Sequence, residues 1–130
     1  MSHHRETVTA DGAPAAAGPY SHAVKANGLV FLSGQVPIDP GTGALIEGSI
    51  SDQTRRCLDN LAIVAAAAGA SLEDAVRMGI FVTDIGVFGE VNEAYGTYFP
   101  TDPPARSTIG VAALPLGAQV EIEATLALPD

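Results

Sequence analysis

Residues 103–126, PPARSTIGVAALPLGAQVEIEATL, carry the two strand patterns around which the rest of the chain is organised. The two prolines hold the chain extended, and the pattern predicts a strand that opens at Arg106, a tight turn over Leu114–Ala118, and a return strand that forms a hairpin with the first. In the return strand the residue types alternate, which predicts one core face and one polar face. The two sets are Val120, Ile122, Ala124 and Leu126, and Gln119, Glu121, Glu123 and Thr125.

The remaining chain alternates strand and helix signals. Asn27-Gly28 is typical of a two-residue hairpin turn, and Ser49-x-x-Asp52 resembles a capping box with Asp in place of Glu. The other predicted elements are a short edge strand over Arg5–Thr9, a helix over Ser49–Ala68 ended by Gly69, a strand over Ala75–Thr83, and a helix from Asp84 or Gly86 to Phe99. Two helices against one mixed sheet predict an α+β fold in a single domain, residues 1–130.

Composition excludes two classes of partner. The chain of 130 residues has only six Lys and Arg against fifteen Asp and Glu, and its net charge is -9. Nucleic acids and anionic membrane surfaces both require a basic face that this chain cannot supply. No apolar run reaches the roughly 20 residues of a membrane span, so we expect a cytoplasmic protein. Hydrophobic residues make up 47% and charged residues 16%, which favours a subunit that buries surface against copies of itself.

Several catalytic chemistries lack the residues that they need. Cys57 is the only cysteine and His22 is the only histidine away from the N-terminus, so neither a metal site nor an activated thiol is expected. Ser107 and Thr108 have no evident activating base. Glycine-rich phosphate loops are also missing. We therefore expect no cofactor and no metal.

The candidate functional side chains that remain are one well-placed cation and one or two carboxylates. Arg106 could hold a small anion through a bidentate contact, or it could form an ordinary salt bridge. Glu121 and Glu123 could be solvated strand residues, or either could transfer a proton near neutral pH if partly desolvated. This combination suits proton transfer or water addition on a small molecule with a carboxylate.

Five motifs, in order, resemble the Rid family of reactive intermediate deaminases (RidA/YjgF). They are Gly18–Ser21 (GPYS), Leu32–Pro37 (LSGQVP), Val91–Tyr95 (VNEAY), Pro104–Ser107 (PARS) and Val120–Ala124 (VEIEA). The resemblance implies a chorismate-mutase-like fold, with a six-stranded mixed sheet and two helices on one face. It also implies a homotrimer with intersubunit active sites, and hydrolysis of 2-imino acids such as 2-iminopropanoate and 2-iminobutanoate to 2-keto acids and ammonia.

The same resemblance implies roles for individual residues. Arg106 matches the arginine that holds the substrate carboxylate, and Glu121 matches the acid that positions the attacking water. The implied substrate-binding positions are Tyr20, Ser33, Gly34, Asn92, Arg106 and Thr108. Thr108 stands where many members have Cys, and because the family contact there resembles a main-chain one, we expect this change to be mild. His22 stands where many members have Gln, and we interpret this second change as a sign of a shifted substrate preference.

Two alternatives stay open at this stage. One is a related deaminase of the same superfamily that acts on an aminoacrylate or aminomuconate. The other is a non-enzymatic trimer that only binds metabolites or protects other proteins.

Overall fold

The computed structural model of the protein describes residues 4–130, which form one six-stranded sheet and two α-helices. The strands are β1 (Glu6–Val8), β2 (Ala23–Ala26), β3 (Leu29–Gln35), β4 (Ala75–Val82), β5 (Ala105–Gly110) and β6 (Val120–Ala127), and the helices are α1 (Ile50–Ala67) and α2 (Phe88–Gly96). The strand order is β1-β2-β3-β6-β4-β5, and only the β4–β5 pair is parallel. The predicted α+β fold with a mixed six-stranded sheet is confirmed.

Helix α1 begins and ends where its sequence signals predict. The Ser49 hydroxyl accepts a hydrogen bond from the Asp52 N–H at 3.1 Å, and the Asp52 carboxylate accepts one from the Ser49 N–H at 3.3 Å. Gly69, with φ of +83°, follows the helix in the left-handed conformation that glycine tolerates. Neither helix of residues 4–130 combines the length and the apolar character needed to cross a membrane.

Strands β2 and β3 form the predicted hairpin. Asn27 and Gly28 both have positive φ, at 51° and 77°, as a type I′ turn requires. The register pairs Ala26 with Leu29 and Ala23 with Leu32.

The predicted C-terminal hairpin is wrong. A tight turn does occur over Pro115–Gly117, but β6 lies between β3 and β4, and β5 is the edge strand beyond β4. The helix-facing side chains explain this order. In β6 they are Val120, Ile122, Ala124 and Leu126, each at most 4% exposed. Such a strand belongs at the centre of the sheet, whereas β5 turns Arg106 and Thr108 toward the helix side and suits an edge.

Both helices pack on one face of the sheet, as predicted. The core on that face joins Leu58 and Leu61 of α1 to Ile80 and Ile122 of the sheet, all fully buried. The opposite face has no helix over it within residues 4–130, and large apolar side chains remain exposed there, including Phe31 at 47% and Ile109 at 49%. Exposed apolar area of this kind is typical of a surface that another protein covers.

A buried asparagine on α1 holds the loop that follows β3. Asn60 is fully buried, and its amide nitrogen donates to the carbonyl of Ile38 at 2.9 Å and, at 3.5 Å, to that of Val36. Its side-chain oxygen accepts a hydrogen bond from the Arg56 guanidinium at 3.1 Å. The loop conformation therefore depends on a side chain of the helix.

Asn60→Ala should destabilise the fold by about 2–3 kcal/mol, because two carbonyl oxygens lose a buried donor and a small cavity opens. Asn60→Asp serves as the matched variant, since it keeps the shape but turns a carboxylate oxygen toward those carbonyls. At pH 7 Asn60→Asp should lower the free energy of unfolding by at least as much as Asn60→Ala. At acidic pH, where a protonated Asp can donate a hydrogen bond, part of that stability should return. Denaturant unfolding measures both variants, and an Asn60→Ala protein within about 0.5 kcal/mol of the parent would contradict the assignment.

Candidate active site

Arg106 lies on the helix side of β5, where α2 holds its guanidinium. Its Nη2 donates to the Asn92 side-chain oxygen at 2.6 Å. The guanidinium carbon lies 4.8 Å from the ring centroid of Tyr95 and 5.5 Å from that of Phe88. All three contacts are with neutral groups, so the cation is positioned without being neutralised. A guanidinium carries five N–H donors, and the hydrogen bond to Asn92 leaves most of them free for an anion.

A cavity of about 320 Å³ adjoins this arginine. Asn92 and Tyr95 of α2 form one wall, Phe99 and Pro104 form another, and Arg106 supplies the cation. Apolar walls around one charged group raise the strength of its contact with a carboxylate, since less water competes for it.

Two buried hydroxyl groups lie on the same side of the sheet. Tyr95 Oη and Thr108 Oγ1 have no hydrogen-bond partner within residues 4–130. Burial raises the pKa of Tyr95 against the opposing effect of the Arg106 charge, so the phenol stays protonated at neutral pH. Tyr95 was not among the predicted site residues, because on α2 its spacing is that of a core residue. We call Arg106, Asn92, Tyr95 and Thr108 the arginine side.

Glu121 lies on the opposite face of the sheet, the one without helices. A β-carbon at Gly34 would lie only 2.5 Å from the Glu121 Oε2, so the carboxylate sits directly over the backbone of that glycine. Burial raises the pKa of Glu121, and the neighbouring charge of Glu123 raises it further. A partly desolvated carboxylate with a raised pKa is a suitable proton acceptor near neutral pH.

An irregularity in β3 lies next to Glu121, at the glycine that its carboxylate covers. The register between β3 and β6 shifts between Leu32 and Gln35, which is where Ser33 and Gly34 lie. The Ser33 hydroxyl donates to the Ser21 carbonyl at 2.6 Å, and the Tyr20 hydroxyl accepts from the Ala17 N–H at 3.1 Å. Tyr20 and Gly34 also line a second cavity, of about 250 Å³. We call Tyr20, Ser33, Gly34 and Glu121 the glutamate side.

His22 has a structural role in the chain. It is 6% exposed, its Nδ1 accepts from the Ala10 N–H at 2.9 Å, and its Nε2 donates to the Pro14 carbonyl at 2.8 Å. These two bonds attach residues 10–14 to the residue that immediately precedes β2. Both ring nitrogens are therefore occupied by the backbone, which leaves neither free to bind a substrate directly.

The predicted site residues thus form two groups that a single chain does not bring together. Arg106 and Thr108 face the helix side of the sheet, where Asn92 contacts the arginine, while Glu121 faces the other side and lies against Gly34. Ser33 precedes Gly34 in β3, and Tyr20 shares a cavity with Gly34. One group can hold an anion, and the other can accept a proton. Cys57, in contrast, is buried at 0% exposure, and burial raises the pKa of its thiol, so it stays an unreactive core residue.

Comparison with known proteins identifies the family. The sequence model described as "Endoribonuclease L-PSP" matches residues 10–128. The chain is 48% identical over 123 residues to "Protein HMF1" of Saccharomyces cerevisiae, covering 95% of each, and 42% identical over 120 residues to "2-iminobutanoate/2-iminopropanoate deaminase" of Mus musculus, covering 92% of this chain and 89% of the mouse protein.

A solved structure agrees with the same assignment. The crystal structure of RidA from the Antarctic bacterium Psychrobacter sp. PAMC 21119 superimposes with a TM-score of 0.90 at 41% identity, over 94% of this chain and 98% of that one. With a family match over most of the chain and both sequence and structural relatives above 40% identity, the chain belongs to the Rid family of reactive intermediate deaminases.

Proposed function

We propose that the protein hydrolyses small 2-imino acids, such as 2-iminopropanoate and 2-iminobutanoate, to 2-keto acids and ammonia. The observation that carries this proposal is an arginine that, within residues 4–130, is held by neutral groups beside a cavity, while the glutamate side offers a partly desolvated carboxylate. The mouse relative named as an iminobutanoate and iminopropanoate deaminase supports the same chemistry.

The active site is proposed to form between two copies of the chain. Arg106 and Glu121 point to opposite faces of one sheet, so one substrate can reach both only if they come from different subunits. The exposed Phe31 and Ile109 on the helix-free face give a neighbouring subunit an apolar surface to cover. A closed ring of three copies, the homotrimer that the family resemblance implies, would contain three such interfaces between subunits, each of which we call a seam.

The proposed reaction needs a positioned water and a carboxylate that carries two protons, one after the other, from oxygen to nitrogen. Arg106 of one subunit holds the substrate carboxylate, and Glu121 of the next accepts a proton from the water whose oxygen bonds to C2. The C=N π pair moves to nitrogen, which takes this proton from Glu121, giving a carbinolamine and restoring the carboxylate. The C–N bond then breaks, nitrogen leaves as ammonia with a proton from the hydroxyl group by way of Glu121, and the C2 oxygen becomes the keto group. Positioning of this kind can lower a barrier by about 7 kcal/mol.

The family description as an endoribonuclease suggests a second activity, but the charge disfavours it. RNA binding relies on Lys and Arg contacts with phosphates, and six such residues in a chain of net charge -9 provide no basic face.

A mixing experiment tests both the reaction and the shared site. An amino-acid oxidase generates the imine, and ammonia or keto-acid release is measured. The parent protein should be active, and Arg106→Ala and Glu121→Gln should each lose at least ~100-fold in kcat/KM. When the two variants are unfolded together and refolded, activity should return, because about a quarter of randomly mixed seams contain both intact residues.

The control for mixing is Arg106→Ala refolded with the double variant Arg106→Ala/Glu121→Gln, in which every seam lacks the arginine. Arg5→Ala makes the same change in net charge at an exposed position and should keep full activity. A parent protein without imine turnover would refute the proposed reaction. Inactive mixtures of two folded single variants would refute the shared site.

A pair of glycine substitutions tests the position of the Glu121 carboxylate. Gly34→Ala places a methyl group where the Glu121 Oε2 lies, while Gly79→Ala places one 2.9 Å from the side chain of Glu123 on the same face. Displacement by about 1 Å can cost ~100-fold in rate, so Gly34→Ala should lose that much in kcat while remaining folded. Circular dichroism checks that both variants are folded. The kcat of Gly79→Ala in the same assay should then stay within about threefold of the parent value. Equal losses in both variants would argue against a specific role for Glu121.

The pH dependence of kcat/KM should respond to Glu123. The base must be ionised, so the acidic limb of the profile follows the pKa of Glu121, which burial and the Glu123 charge raise. Glu123→Gln removes the like charge, lowers that pKa and should move the limb to lower pH; the effect of burial remains, so the limb should still lie above that of an ordinary glutamate. Glu123→Asp keeps the charge and should shift the limb less. A limb that moves to higher pH in Glu123→Gln would contradict this assignment.

A further inference from the structure

The cavity of about 250 Å³ on the glutamate side is bounded by three separate loops. They contribute mainly apolar side chains, and the lining within residues 4–130 includes no Lys or Arg. Six of the lining residues are Pro14, Ala15, Tyr20, Val36, Ile38 and Leu116. Gly34, over which the Glu121 carboxylate lies, forms part of the same wall.

Two of these loops are fixed by hydrogen bonds from buried side chains. His22 donates to the carbonyl of Pro14, and Asn60 donates to the carbonyl of Ile38. Because these bonds come from α1 and from the residue that precedes β2, the cavity walls are positioned before any ligand binds. A preformed apolar cavity loses little conformational entropy when it is filled.

Leu116, in the third loop, has an unusual conformation for its residue type. Its φ is 61° and its ψ is 14°, a left-handed conformation that is costly for a residue with a β-carbon, and Gly117 follows with φ of 74°. The side chain is also 66% exposed, so burial within the chain does not offset the strain. Strained residues at the rim of a cavity are a reason to look for a ligand that contacts them.

We infer that this cavity receives the side chain of the 2-imino acid and that Leu116 selects substrates with an apolar side chain of two to four carbons. The inference rests on the proposed function. The carbon attacked by water carries the side chain directly, so a substrate whose C2 lies beside Glu121 has its side chain at the mouth of this cavity, while its carboxylate extends toward Arg106 of the other subunit. Acidic side chains are disfavoured, since the lining offers no cation and Glu121 lies next to it.

A substrate series with two variants tests this assignment. Imines are generated from alanine, 2-aminobutyrate, norvaline and leucine. For each imine, the kcat/KM of the parent is divided by the kcat/KM of Leu116→Gly. This ratio cancels the intrinsic reactivity of the imine. Glycine keeps the positive φ of position 116 without a side chain. The ratio should stay within about twofold for the alanine imine and rise to about tenfold for the leucine imine. A fully buried methylene contributes about fourfold, and Leu116→Gly removes only part of the burial of the three additional carbons.

The matched control is Ile85→Gly, which removes an exposed apolar side chain from another 3₁₀ turn, Ile85–Val87, and should give one ratio for all four imines. Leu116→Lys should raise kcat/KM for the glutamate-derived imine relative to the leucine-derived one, by about tenfold. Calorimetric binding of pyruvate and 4-methyl-2-oxopentanoate gives a readout without catalysis, and the parent should bind the larger keto acid more tightly, with the difference reduced in Leu116→Gly.

Each result supports or overturns the inference. A Leu116→Gly ratio that does not change with side-chain length, in a protein that hydrolyses imines, overturns the inference and leaves the proposed function intact. A protein that neither hydrolyses any of the four imines nor binds either keto acid refutes both. Tighter binding of the larger keto acid, reduced in Leu116→Gly, supports the cavity assignment even if turnover is slow.

Discussion

The strict alternation of side chains along β6 is the constraint on which the rest of the structure depends. Four apolar residues of this strand face α1 and are buried, so β6 must lie at the centre of the sheet. The same alternation turns Glu121 and Glu123 to the other face, where no helix of the described chain covers them. Burying one set of side chains therefore determines where the carboxylates stand, and a slip of one residue would exchange the two sets.

The separation of charge follows from that arrangement. Arg106 lies on the helix side because β5 runs parallel to β4 and pairs it with the buried Met78, while Glu121 lies on the opposite face. Had both faced the same way, they could have neutralised each other within one chain. Keeping them apart leaves the guanidinium with neutral partners and the carboxylate partly desolvated, so each remains available for a ligand, which in the proposed function binds between two subunits.

Features encoded by neighbouring residues were predictable from the sequence. The capping residues of α1 and the Asn27-Gly28 turn act over a few positions, and the alternation in β6 is equally local. The partner of β6 was not predictable in the same way, because strand order depends on which distant strands share a core, and a turn over Pro115–Gly117 looks the same in a hairpin or a crossover. The motifs identified the candidate site residues, but they could not show that these residues divide between two faces.

Several residues on the arginine side and the glutamate side lower the stability of the fold. Tyr95 and Thr108 bury hydroxyl groups without partners in the described chain, each at a cost of about 1–3 kcal/mol, and burial near Glu123 disfavours the charged form of Glu121. Leu116 adds a strained backbone at the cavity that Gly34 also lines, whereas Asn27, another residue with positive φ, lies in a turn that favours it. A chain with fifteen acids could have supplied Arg106 with a carboxylate partner, and in the described structure its contacts are instead an amide and two rings. Such local departures from the most stable choice are expected where residues serve a ligand or a neighbouring subunit, and in the proposed function the ligand and the second subunit would supply the missing partners.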